Sequence, residues 1–144
     1  MLRRAALTLA MICALTLPAL AQDSPEADAK ATPSGVHQVF SGGYWSDGKL
    51  DGHYRIVVVT AGFEHISHRV FIQWVAIDQD NHNLKILRTV PVSEISELSG
   101  VVTDVRPQFK PNNPLRFTVT LEGRDGVKRK RSVTATADGR YTIR

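Results

Sequence analysis

The sequence predicts an all-β domain, a small antiparallel sandwich or closed barrel of about seven or eight strands following a cleaved signal peptide. Three observations carry that expectation. From about Val39 onward, runs of β-branched and aromatic residues alternate with clusters of Gly, Asn and Asp. Two Asp-Gly pairs, Asp125-Gly126 and Asp138-Gly139, provide strong short hairpin signals. No segment repeats apolar residues at helical period over helical length, so nothing supports the strand-helix alternation of a parallel α/β fold.

Met1-Leu2-Arg3-Arg4 makes a positive start, Ala5 to Leu17 is apolar, and Ala19-Leu20-Ala21 is a small-x-small cleavage signature. Residues 1–21 therefore read as a signal peptide, with an uncleaved N-terminal helix as the alternative. The apolar run is shorter than the roughly 20 residues that cross a bilayer, so no transmembrane segment is expected in the mature chain. Arg3-Arg4 lacks the preceding polar residue of a twin-arginine signal, which favours the general export route to the periplasm or the medium. The one cysteine, Cys13, lies inside the apolar run. A mature chain without it has no disulfide and is stabilised by packing.

Residues 22–38 contain Pro25 and Pro33 and few large apolar side chains, a composition that cannot offset its ordering entropy and reads as a mobile tether. Residues 39–144 are then one β domain, long enough for a single core. Gly52 to Thr60 and Arg69 to Ile77 read as central strands. In the second, Val70, Ile72, Trp74 and Ala76 share one face and Phe71, Gln73, Val75 and Ile77 the other, which predicts cover on both sides and a buried partner for Gln73.

Asp78 to Asn83 is a polar hairpin connection leading to a third strand, Leu84 to Val92. Ser93 to Gly100 fits either a helical turn or a short strand, and Val101 to Arg106 is a weaker strand stopped by Pro107. Pro111-Asn112-Asn113-Pro114 marks a loop. Leu115, Phe117, Val119 and Leu121 alternate with polar residues, the clearest strand with one buried face, and the two Asp-Gly turns continue it as a meander to the C-terminal residues.

Composition excludes little. The chain carries 18 basic and 14 acidic residues, a net charge of +4, and loss of Arg3 and Arg4 with the signal halves that excess. The distribution is more telling, because residues 101–144 hold 10 basic and 4 acidic side chains. Lys128-Arg129-Lys130-Arg131 is the densest charge. As an edge or protruding hairpin it discourages strand addition; as a contact it suits an anionic envelope component or an acidic protein. Nucleic acid is not expected for an exported chain without interleaved aromatics.

Glu64-His65-Ile66-Ser67-His68 supplies ligand types suited to zinc. In an extended segment, however, His65 and His68 point to opposite faces, so the alternative is ordinary turn and strand-edge histidines. Asp78-Gln79-Asp80-Asn81-His82-Asn83 begins like a calcium loop but lacks the glycine and the distal glutamate. Gly43 to Gly48 is one residue longer than a serine nucleophile elbow and has no flanking strand and helix. Gly43-Tyr44-Trp45 resembles, over three residues, the glycine-x-tryptophan pattern of the first strand of lipocalins. That likeness implies a barrel holding a small hydrophobic ligand, against a tryptophan that simply closes one end of a core.

The reading that requires no missing residue is a non-catalytic exported binding or structural module of the cell envelope. It presents Tyr44 and Trp45, or Lys128, Arg129, Lys130 and Arg131, to a partner, with no cofactor expected. A small metal-dependent enzyme or metal carrier using His65, His68 and Glu64, and the ligand-holding barrel, are the alternatives.

Overall fold

The computed structural model describes residue 29 and residues 31–78, 83–111 and 113–144. The predicted signal peptide, Cys13, residues 22–28 and 30 of the tether and residues 79–82 of the calcium-like loop lie outside the described residues. The chain divides into Met1–Thr32 and Pro33–Arg144. In the first, Thr32 N–H donates to Ala29 O at 3.3 Å; everything below concerns the second.

Eight strands form two four-stranded antiparallel sheets, each a simple meander. The first joins β1 (Val36–Ser46), β2 (Asp51–Ala61), β3 (Ser67–Ile77) and β4 (Leu84–Pro91) in that order. A five-residue helix, α1 (Ser93–Glu97), leads to β5 (Val101–Gln108), β6 (Leu115–Glu122), β7 (Lys128–Ala135) and β8 (Tyr141–Ile143). The all-β expectation holds. Both sheets are open among the described residues, so the fold is the sandwich and not the closed barrel.

The core follows from period-two patterning. Tyr54, Ile56 and Val58 of β2 and Val70, Ile72 and Trp74 of β3 meet Leu115, Phe117, Val119 and Leu121 of β6 and Val133 and Ala135 of β7 in one buried cluster. Full burial of each large aliphatic or aromatic chain contributes about 1.5–3 kcal/mol. The two indoles are also satisfied: Trp45 Nε1 donates to His53 O at 2.9 Å and Trp74 Nε1 crosses to Thr136 O at 3.0 Å. Trp45, 3% exposed, belongs to the same buried cluster.

Three local expectations change and one open choice is decided. β1 starts at Val36, inside the expected tether, because β2 is long enough to pair it at Val59. Ser93 to Glu97 is helical, with Ile95 buried. β5 runs through Pro107 to Gln108, since it is an edge strand whose outward side needs no N–H. The outer face of β3 has no second layer over it among the described residues, and Gln73 Oε1 is buried without a partner.

Gly42 and Gly43 serve packing. The Phe109 ring, between β5 and β6, lies on them so closely that a Cβ on Gly42 would come within 2.7 Å of it, and Gly43 adopts φ +71°. Gly42→Val should therefore destabilise by about 1–3 kcal/mol. Chemical unfolding should show that Phe109→Ala costs less in the Gly42→Val background than in the native one; equal costs would mean the two do not touch.

Candidate functional site

His65 and His68 part company. His65 lies with Glu64 on the exposed β2–β3 turn, whereas His68 is buried, 4% exposed, on the core side of β3. Its imidazole neighbour is His37 of β1, with ring centroids 4.4 Å apart. His68 Nδ1 accepts the Val102 N–H at 3.0 Å, and its own backbone N–H donates to Gly100 O at 3.0 Å. One residue therefore ties β3 to the start of the other sheet twice. Burial, and then the neighbouring His37, lower the His68 pKa, and an amide donor at Nδ1 requires that nitrogen to be unprotonated. No group of three or more His, Cys, Asp or Glu among the described residues is placed to hold a metal.

Tyr44 and Trp45 also separate. Trp45 is core, while Tyr44 is exposed and donates from its hydroxyl to Asp51 Oδ2 at 3.1 Å. Together with Tyr54, Asn113, Pro114 and Thr136 they border a half-open cleft of about 250 Å³, below the roughly 300–1,000 Å³ of small-molecule sites. Ser46 Oγ accepts the Gly48 N–H at 3.2 Å in the β1–β2 turn, and Asp47 Oδ1 caps the Lys49 and Leu50 amides at 2.9 Å. That serine belongs to a turn.

The basic run divides by strand parity. Arg129 and Arg131 share the core-side face with Val133 and are half-buried, their stems beside Leu121 and Val119 of β6. Asp125 grips Arg129 from the hairpin turn, with Oδ1 at 3.0 Å and Oδ2 at 2.6 Å. That contact and the Val127 N–H hold the Asp125 carboxyl well below the usual carboxylate range. Lys128 and Lys130 stand exposed on the opposite face. β8 pairs with Ser132 to Ala135 of β7, and among the described residues no strand pairs with Lys128 to Arg131 on that side. This is why an interior strand tolerates four consecutive cations.

Register then builds a polar surface around the two lysines. Across the outer face of the β5–β8 sheet lie Asp104, Thr120 and Lys130; Arg106, Thr118, Ser132 and Arg144; and Gln108, Arg116, Thr134 and Thr142. Strands sit about 4.8 Å apart, and alternate residues on one strand are about 7 Å apart. Arg106 is bound to Asp104 at 2.6 Å, leaving Arg116, Lys128, Lys130 and Arg144 without an ion pair among the described residues. Glu122 is the cross-strand neighbour of Lys128.

No family model, curated protein or solved structure matches the chain.

Sequence reasoning missed Arg116, Thr118, Thr120, Ser132 and Thr134 as members of this surface. Their alternation with the core of β6 and β7 was visible, but the register that sets them beside Lys128 and Lys130 was not.

His68 yields a pH signature. Its folded pKa is lowered, so its contribution to stability is complete above the unperturbed value of 6.5 and declines as pH falls below it. Melting curves from pH 7.5 to 5 should fall more steeply for the native protein than for His68→Gln, which keeps an acceptor but does not titrate. At pH 7.5, His68→Leu should cost about 1–3 kcal/mol by orphaning the Val102 amide, whereas His65→Ala should stay within about 0.5 kcal/mol. Similar losses at both positions together with a chelator-sensitive melt would return the two histidines to a shared metal.

Proposed function

We infer that this protein is a non-catalytic exported binding module whose ligand is an anionic polymer of the cell envelope, held on the outer face of the β5–β8 sheet. The observation that carries this reading is the set of four cations without an ion pair among the described residues, Arg116, Lys128, Lys130 and Arg144, on a face that also carries the hydroxyls of Thr118, Thr120, Ser132, Thr134 and Thr142, with the Asp104–Arg106 pair and Glu122 beside them. A regular array of ammonium, guanidinium and hydroxyl groups suits a chain that repeats negative charges and sugar hydroxyls. A lipid surface fits less well, because this face offers little apolar side chain to insert beyond Val101, 37% exposed at its margin. Export itself rests on the N-terminal sequence pattern.

Dextran sulfate and a polyuronate serve as probes, with anionic phospholipid vesicles as the contrasting arm. Affinity for the polymers should fall steadily as salt is raised. Reversing Lys128 and Lys130 to Glu should weaken it by at least about tenfold. Arg129→Glu should do less per charge, since Asp125 already occupies that guanidinium. Salt-independent binding, equal loss from all three reversals, or capture by vesicles but not by polymers would refute the assignment.

A further inference from the structure

The opposite outer face, on the β1–β4 sheet, has different chemistry. Val39, Val57, Phe71 and Pro91 align across its four strands, and Val75 and Ile86, in line with His53, stand on the far side of a central polar row, while Arg69 lies beyond Phe71 at the other margin. That row is Ser41, Arg55, Gln73 and Thr89, side by side. Val39, Leu84 and Ile86 are 41%, 63% and 47% exposed, while Val57 and Val75 are almost covered by their neighbours. The face mixes these apolar side chains with a central polar row, and among the described residues nothing is layered on it.

Two polar groups in the row lack partners. Arg55 is half-buried, and its guanidinium makes no hydrogen bond or ion pair with a described residue. Gln73 Nε2 donates to Thr89 Oγ1 at 3.2 Å, but Oε1 is buried and unpaired. Turning the amide over merely exchanges which atom is orphaned. Such groups in apolar surroundings carry a desolvation cost that a partner's polar atoms would relieve. The cation is felt locally: burial, and then Arg55, lower the pKa of His53 on the same face.

We propose that this face docks an amphipathic helix of a partner protein that presents apolar side chains around one central carboxylate, with the carboxylate at Arg55 and the Gln73 amide turned over so that Nε2 donates to it while Oε1 accepts the Thr89 hydroxyl. Charge complementarity selects this occupant. A second copy packed face to face about a two-fold axis would bring the two Arg55 guanidiniums toward one another, which like charge opposes. The backbones of β2 and β3 are already paired on both sides, so the partner engages through side chains, and a helix is the layer that covers a sheet face. Four strands span roughly 15 Å, the length of about ten helical residues.

The test uses two synthetic amphipathic peptides of about 14 residues, identical in their leucine faces and differing in one central Glu or Gln, titrated into isotopically labelled protein. Amide shifts should concentrate on Val39 to Ser41, Arg55 to Val57, Phe71 to Val75 and Thr89. The Glu peptide should bind about tenfold more tightly than the Gln peptide, and Arg55→Gln should abolish that difference while keeping the residual affinity. If Arg55→Gln fails to fold, the two peptides on the native protein still decide. Equal affinities, absent binding, shifts confined to the β5–β8 face, or self-association through the β1–β4 face in sedimentation would each overturn the proposal.

Discussion

The His68 imidazole holds together a fold that otherwise has few polar connections between its halves. Each sheet satisfies its own backbone, so what registers one sheet over the other must come from side chains or from the α1 connection. His68 supplies both ends of that constraint, since its amide fixes Gly100 and its Nδ1 fixes Val102. The other crossings act farther along the sandwich. Trp74 reaches Thr136 O, Arg88 Nη1 reaches Asp138 O at 3.0 Å, and the Tyr141 hydroxyl donates to Glu94 at 2.8 Å. In this alignment of the sheets both indoles and the His68 Nδ1 have hydrogen-bond partners.

With the shared core settled, the two outer faces are free to differ. The β5–β8 face spends its alternate positions on Thr, Ser, Lys and Arg, and it meets water at little cost. Its counterpart spends more of them on Val, Phe, Ile and Leu, around a central polar row and with His53 and Arg69 to either side. Both patterns obey the same period of two, so the contrast reflects what each surface is exposed to rather than how the strands form. Asp125 sharpens the division by drawing Arg129 back toward its own turn, which leaves the lysines to carry the outward charge.

Much of the architecture was legible in the sequence because strand alternation is a local property. Leu115 to Leu121 announced its buried face, Asp125-Gly126 and Asp138-Gly139 announced their turns, and Gly52 to Thr60 and Arg69 to Ile77 were identifiable as central. What escaped was relational. His65 and His68 looked like a pair because they are close in the chain, yet the turn leaves one in solvent while β3 carries the other into the core beside His37. The cationic run looked like an edge or protruding hairpin, yet it lies on β7, between β6 and β8, and among the described residues β8 pairs with the other half of that strand. Tyr44 and Trp45 looked like one patch, although successive residues of β1 point to opposite faces, which leaves Tyr44 exposed and buries Trp45.

The meander order has a kinetic consequence. Every strand pairing links neighbours in the chain, so each sheet closes only short loops and can assemble as a ladder of hairpins. The sole event that spans the sequence is the docking of one finished sheet on the other across the α1 hinge. Two copies folding at high concentration would meet the same complementary surfaces in trans, and an opened hinge would let them exchange sheets. The segment from Val92 to Gly100 therefore sets whether the sandwich closes on itself or on a neighbour.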